Sequence, residues 1–158
     1  MGSKFENFIE LLGNIEEFPS WSENFKQVHI QKTSYLDKKN PNIKEFLRTS
    51  VKPEILHTKI IKTSKGSSQE NQILTGLNLI VEGKMIQNLE YIPKDTLKSI
   101  HVTQLAIPFS TCIVLGKAFD YYSKLKVTPY IEDIYVRRIM ERKIFQSILL
   151  TIDVTELS

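Results

Sequence analysis

A chain of 158 residues with 41% hydrophobic and 25% charged residues fits one ordinary globular domain, and this composition excludes a disordered protein. The formal net charge of +3 is too small to indicate nucleic acid as a partner. The single cysteine, Cys112, excludes an intramolecular disulfide and favours synthesis in the cytoplasm. No signal peptide is expected at the start of the chain, and no apolar run of about 18 residues predicts a membrane span.

Residues 1–39 are predicted to form an N-terminal arm. Between Ser3 and Leu12 the apolar residues recur at helical spacing, which predicts a short amphipathic helix. We hypothesise that the apolar side chains of this arm dock on a neighbouring subunit, and the equal alternative is that they cover their own domain. These candidate assembly contacts are Phe5, Phe8, Ile9, Leu12 and Trp21.

The middle of the chain, residues 27–70, has a less regular pattern. Asn42 and Glu45 are spaced to cap a brief helical turn through Phe46 and Leu47. The β-branched run from Ile55 to Thr63 predicts a strand, and a polar loop is expected over residues 65–71.

Residues 73–154 alternate between apolar and polar side chains, which is typical of half-buried antiparallel strands. Gly83 predicts either a tight hairpin or a bend within one strand. The apolar phase changes within residues 100–109, so we expect a β-bulge near Thr103 and Gln104. Pro108 marks a strand end or an edge. The last two strands are predicted at 127–136 and 143–154, and apolar residues of the second share one face with Gln146.

About seven strands with few helices predict a mainly β protein. We expect an antiparallel β-sandwich over residues 40–158, and jelly-roll connections are one way of joining its strands.

Side chains suited to catalysis or metal binding are scattered in the sequence. His29, His57 and His101 have no neighbour at metal-ligand spacing, so neither a metal nor a cofactor is expected. Glu132 and Asp133 would point to opposite faces of a strand, one towards solvent and one towards an arginine, and would not converge on a substrate. The sequence therefore predicts a protein that is not an enzyme.

The densest basic cluster follows these carboxylates, and Glu141 lies within it. A solvated, salt-bridged turn is the simpler interpretation, and a site for an anion or a protein partner is the alternative. The cluster comprises Arg137, Arg138, Arg142 and Lys143. Cys112 lies in an apolar run and is predicted to be buried, with cross-linking between molecules as the alternative.

Four separate elements of the sequence, in order, resemble the SPOCS domain of spore-coat and spore-envelope proteins such as SipL. They are Gly76–Lys84 with Leu89–Tyr91, Ile107–Thr111, Pro129–Ile134 and Arg142–Phe145, and the resemblance extends over about residues 40–155. One copy of the domain is found, and no LysM segment follows Val154, so we do not expect the partner contact associated with LysM.

The resemblance implies a non-enzymatic protein of the endospore coat or envelope that binds itself and other spore-layer proteins. It would be made in the mother-cell cytoplasm and then placed in the coat or on the outer spore surface. Two alternatives stay open: a carbohydrate or peptidoglycan module using Tyr121, Tyr122 and Tyr130, and a nucleic-acid binder using the basic cluster.

Overall fold

The computed structural model describes residues 10–11, 24–67, 69, 73–94 and 100–157, and these residues contain strands and no helix. The prediction of a mainly β protein is confirmed. The strands are β1 (Glu10–Leu11), β2 (Phe25–Tyr35), β3 (Ile43–Ser67), β4 (Ile73–Pro93), β5 (His101–Val114), β6 (Leu125–Met140) and β7 (Lys143–Glu156).

The strands form two sheets. The front sheet has the order β1-β3-β4-β5 and the back sheet has the order β2-β7-β6. All neighbours are antiparallel except β1, which pairs in parallel with β3 at Arg48 and Thr49. Because β3, β4 and β5 are consecutive neighbours in one sheet, these connections differ from a jelly roll, which alternates between sheets.

Apolar side chains from both sheets meet between them, so the sheets pack face to face. The larger core cluster combines Leu79, Val81 and Met85 of β4 with alternate residues of β7 from Ile148 to Val154. The shared face predicted for β7 is confirmed, because Ile144, Gln146 and these residues are all buried. The arm predicted over residues 1–39 contains β2, whose 11 residues pair with β7.

A chain of polar side chains crosses this core from one sheet to the other. The Ser34 hydroxyl donates to Gln146 Oε1 over 2.8 Å, and Gln146 Nε2 donates to Gln87 Oε1 over 2.6 Å. Gln87 Nε2 then donates to the Thr49 hydroxyl over 3.0 Å. The four side chains are buried, and no buried side-chain N or O atom in the described part lacks a partner. The chain therefore links β2, β7, β4 and β3 without an unsatisfied group.

Strand β3 confirms one prediction for the middle of the chain and corrects two. The brief helical turn at Asn42–Leu47 is wrong, because residues from Ile43 onward are extended and pair with β4. The predicted strand at 55–63 is one part of β3, and residues 65–67 of the predicted loop also belong to it. Pairing with β4 involves 20 of the 25 residues of β3, and this long ladder outweighs the local capping pattern.

Gly83 lies in the middle of the continuous strand β4, so the one-strand alternative is confirmed and the hairpin is wrong. Its cross-strand partner is Phe109. A Cβ atom on residue 83 would lie 2.5 Å from the Phe109 ring and 2.5 Å from the Glu54 carbonyl oxygen. Glycine is therefore required here so that the ring can cover the strand backbone.

The β-bulge predicted near Thr103 and Gln104 is wrong. The pairing of β4 with β5 runs from Asn78–Val114 to Tyr91–His101 without a shift. The apparent phase change arose because Val102 is an exposed apolar residue, on the outer face of the strand. Pro108 does lie on an edge strand, as predicted.

The predicted N-terminal helix lies outside the described residues, apart from Glu10 and Leu11. These two residues form the strand β1, so the helix prediction is wrong for them. All five candidate assembly contacts of the arm also lie outside the described residues: Phe5, Phe8, Ile9, Leu12 and Trp21.

Candidate assembly surfaces

The tight connection between β6 and β7 brings the predicted basic cluster to one end of the sandwich. Glu141 and Arg142 form the turn, and their carbonyl oxygens accept from the backbone N–H groups of Ile43 (2.8 Å) and Leu36 (2.9 Å). The turn is therefore bound to the segment that joins β2 to β3.

The guanidinium group of Arg142 adds hydrogen bonds between the turn and this connecting segment. Nη1 donates to the Asn40 carbonyl oxygen at 2.7 Å and to Asn42 Oδ1 at 2.9 Å, and Nη2 donates to the Asp37 carbonyl oxygen at 2.7 Å. Several acceptors around one planar cation fix the geometry of both segments. We call Arg142 and the connecting segment Leu36–Asn42 the clasp.

Arg138 has a similar role at the margin between the sheets. Its Nη1 donates to the carbonyl oxygens of Ile43 at 2.7 Å and Lys44 at 3.2 Å. Two of the four predicted basic residues thus bind backbone oxygens of their own chain. Glu141 forms the predicted salt bridge, but its partner is Lys94 and not an arginine.

The hydrogen bond and charge of Lys94 hold the pKa of the Glu141 carboxyl below its usual range, with smaller help from Arg138 and Asn42. This interaction stabilises the fold above the ordinary glutamate pKa, and the benefit is lost as pH falls through the lowered value. Because the pair is exposed to solvent, its contribution is small.

Arg137 and Lys143 lie instead on the outer face of the back sheet, against aromatic rings. The Arg137 guanidinium lies 5.7 Å from the centre of the Phe145 ring, and Lys143 Nζ lies 5.5 Å from that of Tyr35. Tyr135 packs edge-on to Phe145 at 6.5 Å. We call these five residues the aromatic–cation band.

The band is accessible, since Tyr35 is 68% and Tyr135 is 38% exposed. Ile139 and Met140, at the end of β6, are also exposed. Sequence reasoning identified the two cations but missed the tyrosines. The sequence did contain a signal for this band. Tyr135 and Arg137 are two residues apart, as are Lys143 and Phe145, and this spacing places each pair on one face of a strand.

The tyrosines proposed for carbohydrate binding occupy different parts of the fold. Tyr121 and Tyr122 meet edge-on in the β5–β6 connection at 5.3 Å, and Lys62 Nζ lies 4.6 Å from the centre of the Tyr121 ring. Tyr130 lies on β6, opposite Thr151 in the back sheet. A lysine on one ring and a perpendicular pair do not favour a flat platform for a sugar.

The remaining polar candidates have structural contacts. Glu132 Oε2 accepts from Thr151 at 2.6 Å and from Gln27 at 2.8 Å, so its partners are neutral and not an arginine, while Asp133 is exposed. The register shift between Ile131 and Asp133 places Glu132 in a bulge. His29 meets the Ser147 hydroxyl at 2.6 Å.

His101 meets Asn40 Oδ1 at 2.9 Å, beside the clasp. Within the described residues, no three metal-ligating side chains come together and no helix is long and apolar enough to cross a membrane. Cys112 is exposed, so the prediction of a buried thiol is wrong. Alternation along β5 turns Phe109 and Ile113 inward and Cys112 outward.

Comparison with known protein families gives a match over most of the sandwich. The sequence model of the SipL SPOCS domain matches residues 42–139, which is more than half of the chain and extends from the start of β3 almost to the end of β6. No curated protein and no solved structure matches the sequence.

Proposed function

The chain belongs to the SPOCS domain family of SipL, a family associated with the spore coat, and on that premise we propose that it is a structural protein of the endospore coat or envelope. In this proposal it has no catalytic role. It binds other spore-layer proteins and further copies of itself, after synthesis in the mother cell.

The aromatic–cation band is the observation that carries this proposal. Tyrosine, phenylalanine and arginine are enriched at protein–protein interfaces, and binding energy concentrates on such residues. Tyr35 supplies a large exposed ring whose contact with Lys143 leaves much of its surface accessible. A band on the outer face of a sheet suits a broad protein surface better than a small molecule, which binds in concave pockets.

The aromatic–cation band lies on a rigid part of the fold. Phe145 and Lys143 belong to β7, the central strand of the back sheet, and Tyr35 and Arg137 flank it on β2 and β6. Side chains on three paired strands are held at fixed spacing, so little order has to be created on binding.

The proposal is tested with a fluorescent fusion in the sporulating bacterium that carries the gene. We expect the wild-type protein to collect at the spore surface. The double variant Tyr35→Ala, Arg137→Ala should remain diffuse in the mother cell.

The matched control is Tyr122→Ala, Lys117→Ala, which removes the same kinds of exposed side chain from the β5–β6 connection and should localise normally. A wild-type protein that stays diffuse contradicts the proposed function. Equal localisation of both double variants contradicts the role of the band.

A further inference from the structure

Strand β5 differs from the other edges of the sandwich in its composition. Its 14 residues, His101–Val114, include no Lys, Arg, Asp or Glu. By contrast, β3 carries lysines at 44, 52, 59, 62 and 65, β2 carries Lys26 and Lys32, and β6 carries Lys126 with two arginines. Charged side chains on an edge strand discourage pairing with another strand, and β5 has no such protection.

The backbone groups of β5 face two sides in alternation. The Leu115 N–H donates to the Leu77 carbonyl oxygen of β4 at 3.0 Å, whereas the Cys112 carbonyl oxygen accepts from Lys26 Nζ of β2 at 2.6 Å. Odd-numbered residues therefore bond to β4, and even-numbered residues direct their backbone groups away from it. Pro108 belongs to the second set, where its missing N–H costs no bond to β4.

The outward edge has a closed half and an open half. In the closed half, Lys26 covers the Cys112 oxygen and Asn24 Nδ2 donates to the Val114 oxygen at 3.4 Å. The open half precedes Pro108 and offers the N–H and C=O groups of Val102, Gln104 and Ala106. Among the described residues, β4 is the only strand that pairs with this half.

We propose that the open half of β5 pairs with the same segment of a second copy, antiparallel and centred on Gln104. The inference deepens the self-assembly part of the proposed function and rests on it. The two front sheets become one continuous sheet across a twofold axis, with each residue 102 opposite residue 106 of the other copy.

A second copy is the occupant that this edge suits best. Pairing of an uncharged segment with itself brings no like charges together, whereas self-pairing of the β2 or β3 edge would bring lysines together. The side-chain amides of Gln104 and Asn88 already form a row across β5 and β4, because Gln104 Nε2 donates to Asn88 Oδ1 at 3.1 Å. The twofold axis extends this row from one Gln104 to the other. Val102 is 55% exposed and would be covered opposite Ala106.

The contact is short, so the dimer is expected to form and dissociate with concentration. Three residue pairs exchange about six backbone hydrogen bonds, and Pro108 stops the ladder beyond them because it has no donor. Sedimentation velocity of the full chain over a wide concentration range should therefore show a monomer–dimer equilibrium.

Charge exchange at residue 104 tests the twofold axis directly. Gln104→Lys and Gln104→Glu each place like charges opposite each other and should raise the dimer Kd by about 2- to 5-fold. An equimolar mixture of the two variants should recover the wild-type Kd or a lower one. The controls, Ser110→Lys and Ser110→Glu, lie on the same face beyond Pro108 and should dimerise like the wild type, alone or mixed.

The outcomes separate this inference from the proposed function. A wild type that is monomeric at every concentration, or a dimer that the charge variants leave unchanged, overturns the pairing of β5. Localisation of the same protein to the spore surface would in both cases leave its proposed role as a structural protein of the spore coat or envelope standing.

Discussion

The polar chain through the core makes a quantitative prediction for the substitution Gln146→Leu. The replacement removes the acceptor of the Ser34 hydroxyl and the donor to Gln87 Oε1, both inside the core. Each buried group left without a partner costs about 1–3 kcal/mol, so the free energy of unfolding should fall by about 2–6 kcal/mol. This is a large part of the total stability of about 5–15 kcal/mol for a domain.

The double substitution Gln87→Leu, Gln146→Leu sharpens this test. Gln87→Leu alone leaves Gln146 Nε2 without its acceptor and the Thr49 hydroxyl without its donor. The double variant removes both amides and leaves only the hydroxyls of Ser34 and Thr49 affected. Its cost should therefore be close to that of one single variant, so the coupling energy should equal the cost of the other, about 2–6 kcal/mol.

Urea unfolding followed by far-ultraviolet circular dichroism measures all three variants. The control is Gln31→Leu on β2, where the side chain is exposed and a change within about 0.5 kcal/mol is expected. The reasoning is refuted if the two single costs add within about 0.5 kcal/mol in the double variant, because unconnected residues behave in that way.

Three further substitutions test other features by the same unfolding measurement. Gly83→Ala should lower the free energy of unfolding by about 1–3 kcal/mol, because the added methyl group overpacks the site. Gly66→Ala, with no atom within 4 Å of the Cβ position, should be neutral or slightly stabilising, and equal effects of the two substitutions would contradict the close packing at Gly83. Burial raises the pKa of the Tyr91 hydroxyl, against the opposing effect of Arg142, so the stability of the wild type should decline as pH rises above about 10. Tyr91→Phe should lack that part of the decline, and parallel profiles of stability against pH for the two proteins would contradict this prediction. Arg142→Lys should lower the free energy of unfolding by about 1.5–3 kcal/mol, because an ammonium group cannot donate to all the acceptors that the guanidinium binds. Arg137→Lys should change it by no more than about 0.5 kcal/mol, and similar costs for the two substitutions would contradict the stabilising role of the clasp.

Strands with one buried face were predictable from the sequence. In β7 the apolar residues from Ile144 to Val154 recur every second position, and that period alone identifies both the strand and its inner face. Gln146 also stood out as a polar residue on this face. Its partner Gln87 was visible in the same way, between Met85 and Leu89, but nothing in the sequence indicates that two glutamines from separate strands meet.

Predictions failed where tertiary contacts outweigh local pattern. The spacing of Asn42 and Glu45 suits a helix start, yet pairing with β4 keeps the segment extended. Val102 and Cys112 suggested burial by their type, but the strand turns both outward. Of the assembly surfaces, the cations Arg137 and Lys143 were predictable, whereas their stacking on Phe145 of β7 and Tyr35 of β2 depends on the register of the back sheet.

The pairing of β2 with β7 bears on where this domain can be cut. The family match begins at residue 42 and ends at residue 139, so it omits β2, β7 and most of the clasp. A fragment with those ends would keep β3, β4 and β5 of the front sheet but lose the central strand of the back sheet, leaving the inner side chains of β4 and β5 in water. A recombinant fragment intended to fold should therefore extend at least from Asn24 to Leu157, because the Val154 N–H donates to the Asn24 carbonyl oxygen and the Leu157 N–H donates to that of Lys124, at the end of the sandwich opposite the clasp.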